Sequence, residues 1–221
     1  TLESILLGYK KLLRLMLHQR IGVLKILRMK DSGFKIALLG HIQRSGKTYT
    51  IAGCIIGDSE NKEKCNYLIV TTAPNETFHS FKKACNCLQL IDFEIIQLDG
   101  TNKNPIRKDK NIIICSKQFL QDKINDEGEE KTKVIPFLKK IKFEMRFLDE
   151  CHKGGVSELA KKTLDFYGKD AFTVYCTATY RKPIHELNIP EECHCLWDEE
   201  CIKLCKNISN PENKEKLIKK I

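Results

Sequence analysis

Short apolar runs alternate with segments of helical periodicity along most of the chain. Runs with the length and composition of buried strands occupy residues 36–39, 67–71, 93–98, 111–115, 145–148 and 172–176. Apolar positions follow a helical pattern at residues 2–30, 49–56, 74–88, 134–141 and 156–167. A charged stretch at residues 122–133 is typical of a solvated loop. Because successive parallel strands need a crossover, the alternation predicts an α/β fold with a central, mostly parallel sheet and helices on both faces.

The composition is that of one globular domain with a basic surface. The chain has 221 residues, and no apolar run approaches the ~18 residues that a membrane span needs. Its 38 Lys and Arg against 29 Asp and Glu give a net charge of +9, which favours a polyanionic partner, although a lysine-rich proteome would produce the same balance. The 11 cysteines accompany an ordinary charged composition, so we expect reduced thiols and an intracellular protein of the cytoplasm or nucleus.

The segment after the first apolar run has the residues of a phosphate loop. It ends in Ser45-Gly46-Lys47-Thr48 and leads directly into a helical segment. A triphosphate requires inward-facing backbone N–H groups, a helix N-terminus, a lysine for its outer phosphates and a hydroxyl for magnesium, and this order supplies them. The strict pattern has glycine where His41 stands, with Gly40 one place too early. The alternative is an ordinary helix start, because Ser and Thr are common helix caps.

An acidic pair follows the fifth apolar run, which leads directly into Asp149-Glu150-Cys151-His152. Nucleotide hydrolysis requires one carboxylate near the magnesium ion and a second that orients or deprotonates water. Both should lie at the carboxyl end of a strand beside the phosphate loop. Asp149 and Glu150 meet this requirement, and the alternative is a solvated strand end.

Three segments together resemble motifs I, II and III of superfamily 2 helicases and translocases with a D-E-x-H box. They are residues 40–48, residues 149–152 and Cys176-Thr177-Ala178-Thr179, in the order and spacing of the family. The resemblance extends over roughly residues 15–185. It implies a RecA-like phosphate-loop lobe that binds ATP and Mg²⁺ and acts on single- or double-stranded DNA or RNA. Within the family the sequence is most similar to helicase-like proteins of large DNA viruses, which would place it in a viral replication compartment or virion.

The resemblance assigns roles to individual residues. Lys47 would contact the outer phosphates, and Glu150 would act on the attacking water. Magnesium would be held by Thr48 and Asp149. Further nucleotide contacts are expected from Gln19, which recognises adenine in the family, and from His41, Ile42, Gln43, Arg44, Ser45 and Gly46. Coupling to nucleic acid is expected from His152, Thr177, Ala178 and Thr179. Contacts to nucleic acid are expected from segments that resemble motifs Ia and Ib, at Pro74, Asn75, Ser116, Lys117 and Gln118.

The same resemblance predicts three parts of the chain. Residues 1–30 form an N-terminal helical segment that carries Gln19, residues 31–190 form the ATP-binding lobe, and residues 191–221 form a Cys- and Lys-rich segment leading to a second RecA-like lobe. Motifs IV to VI, which complete the ATP site in the family, are not in this sequence, and it begins without methionine. We therefore expect a piece of a longer protein, weakly active without its second lobe. Arg44 stands where the family often has glycine.

Four cysteines near the C-terminus raise the alternative of a zinc site, with His194 beside them. They are Cys193, Cys195, Cys201 and Cys205. The first two are separated by one residue rather than the usual two to four, and the segment has the pattern of a helix and a charged tail. We therefore expect no zinc site there. We also expect Cys151 to pack rather than to act as a nucleophile, because its neighbours already have a complete role in phosphoryl transfer.

The sequence thus predicts the first ATP-binding lobe of a nucleic-acid-dependent ATPase. The main alternative is a phosphate-loop ATPase or kinase that moves no nucleic acid, which would have no need of the segment at residues 177–179. A scaffold protein without catalysis is disfavoured because the chain has all four residues of the hydrolytic set, Lys47, Thr48, Asp149 and Glu150.

Overall fold

The computed structural model describes residues 11–72, 74–98, 108–121, 138, 140–149 and 166–220. These parts of the chain contain seven strands: β1 (Ile36–His41), β2 (Cys65–Thr71), β3 (Glu94–Leu98), β4 (Lys110–Ser116), β5 (Met145–Leu148), β6 (Phe172–Thr177) and β7 (His194–Trp197). They also contain seven α-helices: α1 (Leu17–Asp31), α2 (Lys47–Ser59), α3 (Pro74–Cys85), α4 (Lys117–Gln121), α5 (Arg181–Leu187), α6 (Glu199–Lys206) and α7 (Pro211–Lys220). Short 3₁₀ turns at Leu88–Leu90 and Glu191–Cys193 precede β3 and β7.

The seven strands form one sheet in the order β3-β4-β2-β5-β6-β1-β7. Every neighbouring pair is parallel. The predicted α/β fold is confirmed, and each of the six predicted strands is present within two residues of its predicted ends. The seventh strand, β7, was not predicted, because this short run lies in a segment that was expected to be helix and tail.

Apolar side chains of the strands enter two hydrophobic cores on opposite faces, because side chains alternate between the faces of a sheet. Leu39 and Ile69 belong to a core that includes residues of α1, α2 and α3. Leu38 and Leu68 belong to a second core, which α4 and α5 join from the other face. The predicted helical cover on both faces is therefore confirmed.

Helix α1 begins at Leu17, later than the helix predicted over residues 2–30. Residues 11–16 are not helical, and residues 1–10 lie outside the described part. The Gln19 side chain accepts a hydrogen bond from the Met16 amide at 2.9 Å. A side chain in the first turn that binds the preceding amide is half of a capping box, and this contact marks the helix start.

Helix α1 packs closely against α2 because two glycines of α2 leave room for its side chains. A Cβ atom on Gly53 would lie 2.7 Å from Val23, and one on Gly57 would lie 2.6 Å from Leu27. Helix α2 continues to Ser59, through residues that were predicted to form a loop.

Several sequence predictions fall where no structure is described. The predicted loop at residues 122–133 lies outside the described residues, and so do most of the predicted helices at 134–141 and 156–167. The C-terminal segment, predicted to form a helix and a charged tail, contains β7, α6 and α7. In the described parts, no helix has the length and apolar character needed to cross a membrane.

Candidate nucleotide site

Three neighbouring strands end side by side at the carboxyl edge of the sheet, and each is followed by a predicted motif. β1 leads into the phosphate loop, β6 ends at Thr177, and β5 leads into Asp149. Adjacent strands lie about 4.8 Å apart, so the strand before Asp149 is roughly 10 Å from β1. Parallel α/β sheets bind ligands at this edge, and the sheet order therefore brings the predicted motifs together.

The phosphate loop connects His41, the last residue of β1, to Lys47, the first residue of α2. Two residues in it have a left-handed backbone, Arg44 with φ 60° and Gly46 with φ 80°. Arg44 therefore adopts a conformation that suits glycine, at a cost of about 1 kcal/mol. The turn brings the N-terminus of α2 to the carboxyl edge, where its free N–H groups favour an anion.

The Lys47 ammonium group lies against its own loop. Its Nζ donates to the carbonyl oxygens of His41 at 3.1 Å and Ile42 at 3.4 Å. In the described part of the chain, the Ser45 hydroxyl is buried and has no hydrogen-bond partner. Thr48 is half-buried in the first turn of α2. A cation, two hydroxyls and a helix N-terminus at one turn fit a phosphate with its magnesium ion.

Helix α1 holds the loop at the Ser45 carbonyl. That oxygen accepts hydrogen bonds from Gln19 Nε2 at 3.0 Å and from His18 Nε2 at 2.8 Å. The Gln19 side chain is 5% exposed, and its amide also caps α1. A Cβ atom on Gly46 would lie 2.5 Å from Gln19 Nε2, so only glycine permits this contact. Gln19, predicted to recognise adenine, therefore supports the phosphate loop in this structure.

His41 lies beneath the loop and is 1% exposed. Burial, with the nearby charges of His18 and Lys47, lowers the pKa of His41 to about 3. Its Nε2 lies 3.7 Å from the Cys195 sulfur on β7. His41 was predicted to contact nucleotide. That contact stays a prediction. In this structure the neutral ring is buried, and the His41 backbone carbonyl accepts a hydrogen bond from Lys47.

The acidic box and the segment after β6 are described in part. Asp149 is half-buried, and its amide extends the sheet by donating to the Val70 carbonyl at 2.8 Å. The buried Thr177 hydroxyl accepts a hydrogen bond from the Thr179 amide at 3.0 Å, across Ala178. The remaining residues of the acidic box, Glu150, Cys151 and His152, lie outside the described residues.

The residues predicted to contact nucleic acid follow β2 and β4, which are neighbours on the other side of β5. Pro74 and Asn75 begin α3, and Lys117 and Gln118 begin α4. Ser116 caps α4, since its hydroxyl accepts a hydrogen bond from the Phe119 amide at 2.9 Å. Burial lowers the pKa of Lys117. The two predicted segments thus share one half of the carboxyl edge, and the phosphate loop lies at the other half.

The four C-terminal cysteines lie in different cores. Cys193 belongs to the core that α4 and α5 join, Cys195 to the core on the opposite face, and Cys201 and Cys205 to a small cluster beside α7. Among the described residues, no three His, Cys, Asp or Glu side chains are grouped as metal ligands would be. Cys193, Cys195 and Cys201 are buried, and Cys205 is partly exposed.

Trp197, the last residue of β7, contacts the phosphate loop, and Asp198 follows it; neither residue was predicted. The Trp197 carbonyl accepts a hydrogen bond from the Ile42 amide at 2.9 Å. The Asp198 carboxylate accepts one from the Cys201 amide at 3.0 Å, which caps α6, and another from the Tyr180 hydroxyl at 3.2 Å. The sequence did contain a signal for Asp198, because an aspartate followed by two glutamates is a common helix start. A helix that starts there would require the preceding segment to be a separate element.

Comparison with known families gives the following match. Residues 12–182 match the model of a family described as "Type III restriction enzyme, res subunit". No curated protein matches the sequence significantly.

Solved structures with this fold include three large nucleic-acid enzymes. The SWI2/SNF2 ATPase core of Sulfolobus solfataricus, in complex with double-stranded DNA, is 16% identical with a TM-score of 0.56, over 75% of this chain and 32% of that chain. The UvsW helicase from bacteriophage T4 is 13% identical with a TM-score of 0.57, over 81% of this chain and 60% of that one. A nuclease-deletion mutant of the Type ISP restriction-modification enzyme LlaGI, in complex with a DNA substrate mimic, is 12% identical with a TM-score of 0.57, over 91% and 22% respectively. This chain thus spans less than two thirds of each of these proteins.

Proposed function

Because the chain belongs to the type III restriction enzyme res subunit family and has the fold of the first RecA-like lobe of superfamily 2 helicases, we propose that it is the ATP-binding lobe of a nucleic-acid-dependent ATPase. The larger protein would couple ATP hydrolysis to movement on nucleic acid or to its remodelling. The structurally similar proteins solved with DNA favour DNA as the first strand to test. An intracellular location and a viral origin stay predictions from the sequence.

The observation that carries the proposal is the shape of the phosphate loop. Left-handed turns at Arg44 and Gly46 bring the N-terminus of α2 and the Lys47 ammonium group to one point at the carboxyl edge of the sheet. A helix N-terminus with a fixed cation binds an anion strongly, because its N–H groups and the ammonium are already oriented. A random helix start would need neither the turns nor the contacts from α1.

Bound ATP would supply the phosphoryl group and its magnesium ion the Lewis acid, and the residues of the chain would hold them in place. Lys47 would neutralise charge on the outer phosphates. The Thr48 hydroxyl and the Asp149 carboxylate, which follow strands separated only by β6, are suited to hold the metal. Glu150 would orient or deprotonate the attacking water.

The first test is calorimetric binding of ATP with magnesium to the parent chain and to Lys47→Ala. Loss of the charge-assisted phosphate contact should weaken binding by roughly 1.5–3 kcal/mol. Lys62→Ala is the matched control, since Lys62 pairs with Asp58 and Glu144 and follows the opposite end of α2. The control should bind ATP as the parent does. Equal affinity of Lys47→Ala and the parent would contradict the assignment.

The alternative, an ATPase or kinase that moves no nucleic acid, is separated by a second test. Single strands should bind weakly and with a steep salt dependence, because phosphate contacts release counterions. In a longer protein that contains the second lobe, DNA or RNA should stimulate ATP turnover, and Glu150→Gln should abolish hydrolysis while ATP still binds. Turnover that is independent of every nucleic acid would favour the alternative.

A further inference from the structure

Trp197, which lies outside the predicted motifs, is linked to both ends of the phosphate loop, directly at Ile42 and through His18 at Ser45. At the start of the loop, the Trp197 carbonyl accepts a hydrogen bond from the Ile42 amide at 2.9 Å. At the other end, the Trp197 indole stacks on the His18 imidazole, with ring centroids 5.1 Å apart and an interplanar angle of 19°. His18 in turn binds the Ser45 carbonyl through Nε2 at 2.8 Å.

The direction of the last contact follows from its chemistry. A carbonyl oxygen can only accept, so His18 Nε2 must carry the hydrogen and donate it. The stack with Trp197 restrains the imidazole plane from which this hydrogen bond is made. Trp197 is itself 7% exposed and packs with Cys201, Leu204 and Leu217 of the two C-terminal helices, so residues outside the loop also restrain it.

We propose that Trp197 and His18 form a positioning pair that fixes the phosphate loop in its nucleotide-binding shape. The proposal rests on the proposed nucleotide function of the loop. Trp197 would restrain the loop directly at Ile42 and, through His18, at Ser45. Neither side chain would touch the nucleotide, so both are positioning residues and not catalytic ones.

The pair is needed because the loop between its contacts at Ile42 and Ser45 has a strained backbone. Arg44, which lies between Ile42 and Ser45, has a φ of 60° that most side chains avoid. A conformation of this kind persists only where its surroundings impose it. Restraints that exist before the ligand arrives reduce the entropy lost on binding and so increase affinity.

Trp197 also provides the measurement, since it is the sole tryptophan of the 221 residues. Its emission should change when magnesium ADP binds to the parent chain, because the charged ligand binds to the loop that the Trp197 carbonyl and its stacking partner His18 contact. In His18→Ala the emission change should fall to less than half of the parental value. Trp197 remains in place in this variant, so the result does not depend on a core substitution.

Affinity gives the second measurement. His18→Ala should bind magnesium ADP about fivefold more weakly by calorimetry, the effect of one lost hydrogen bond. Trp197→Leu should weaken binding by a similar factor. The double variant should be no weaker than either single variant, because residues that act as a unit are not additive. Trp197→Phe keeps a ring for His18 and should bind within about twofold of the parent.

Phe93→Leu is the control for a lost aromatic ring in the core. Phe93 is 8% exposed, packs 6.0 Å from the Tyr67 ring and precedes β3 at the far end of the sheet. This variant should lower stability and leave ADP affinity and the tryptophan response unchanged. If Trp197→Leu does not fold, His18→Ala and Trp197→Phe carry the test.

The two proposals fail in different ways. Parental ADP affinity in Lys47→Ala would overturn the nucleotide function and this pair with it. Weakened binding in Lys47→Ala, but parental affinity and a parental emission change in His18→Ala, would overturn the pair and leave the function intact. Effects of His18→Ala and Trp197→Leu that multiply in the double variant would also overturn the pair, since independent packing defects behave in that way.

Discussion

The two ends of α2 place charged residues in opposite situations. At its N-terminus, the Lys47 ammonium contacts backbone carbonyls, and in the described part of the chain the Ser45 hydroxyl is buried without a partner. Near its C-terminus, the Asp58 side chain is 7% exposed and pairs with Lys30 and with Lys62, the latter at 2.8 Å. Tyr67 also donates its hydroxyl to Asp58 at 2.7 Å.

The polar groups at the N-terminal end of α2 are arranged for a ligand, whereas those at its C-terminal end are arranged for stability. A carboxylate near a helix C-terminus is opposed by the helix dipole, so Asp58 depends on its partners. Burial would raise the pKa of Asp58, but hydrogen bonds from Lys30, Lys62 and Tyr67 hold it below its usual value. At the N-terminal end, the strained loop and the unpartnered hydroxyl lower stability and leave polar groups available to an anion.

The largest loss of stability is expected from removing Asp58, which Lys30, Lys62 and Tyr67 contact at the C-terminal end of α2. Asp58→Ala leaves two ammonium groups partly buried and should lower the free energy of unfolding by about 3 kcal/mol in urea denaturation. Glu215→Ala is the control, because Glu215 pairs with Lys219 on the surface of α7 and should contribute less than about 0.5 kcal/mol. Folded Asp58→Ala should bind nucleotide as the parent does. Weaker binding would mean that the two ends of α2 are not independent.

The next effect is at the N-terminal end. Gly46→Ala forces a side chain into a left-handed residue and against Gln19, and should lower stability by about 2 kcal/mol and weaken nucleotide binding. Gly33→Ala isolates the backbone strain, because Gly33 has φ 85° and open space around its missing Cβ. It should lower stability by about 1 kcal/mol without changing nucleotide affinity. Similar nucleotide affinities of the two variants would show that the Gln19 contact has no role in binding.

A smaller, pH-dependent effect is expected at Asp198. Burial would raise the pKa of Asp198, but hydrogen bonds from the Cys201 amide and from Lys220 lower it to about 2. Since the folded pKa lies below the usual value near 3.9, the stabilisation is present above about pH 4 and is lost as the pH falls towards 2. Asp198→Ala should cost about 1.5 kcal/mol at pH 7, from the lost helix cap and ion pair.

Asp198→Asn is the matched variant, because it keeps a capping oxygen and removes the charge. At pH 7, Asp198→Asn should lose less stability than Asp198→Ala does. Urea midpoints of the parent and of both variants, measured between pH 6 and pH 2.5, should converge towards acid. A constant difference between the parent and Asp198→Asn across this range would contradict the ion-pair argument.

The smallest effect should be a gain in stability. Arg44→Gly removes the cost of a left-handed arginine but adds conformational freedom to the unfolded chain, so the net gain should be about 0.5 kcal/mol. Thermal unfolding of the parent and the variant measures it. A loss of stability would show that the contacts of the Arg44 side chain stabilise the fold by more than its left-handed backbone costs.

The sequence predicted the phosphate loop, the strand before Asp149 and six of the seven strands. Each of these depends on a local pattern, such as the length of an apolar run or the order of residues after it. It did not predict β7, because His194 to Trp197 is a short run beside a charged helical pattern that favours helix. It placed the start of α1 too early, because the apolar periodicity extends upstream of Leu17. The Gln19 side chain, which accepts a hydrogen bond from the Met16 amide, marks the actual start of the helix.

The residue order of the sequence alone determined the class of fold and the chemistry of the loop, because backbone preference and side-chain type are properties of short segments. Only the tertiary structure decided that the His41 ring is buried beside Cys195, that the C-terminal cysteines lie in different cores, and that the Trp197 carbonyl contacts the loop at Ile42. His41 and Cys195 are 154 positions apart in the chain. They meet because β7 pairs with β1, and the order of strands in a sheet depends on the packing of whole elements, which local periodicity does not encode.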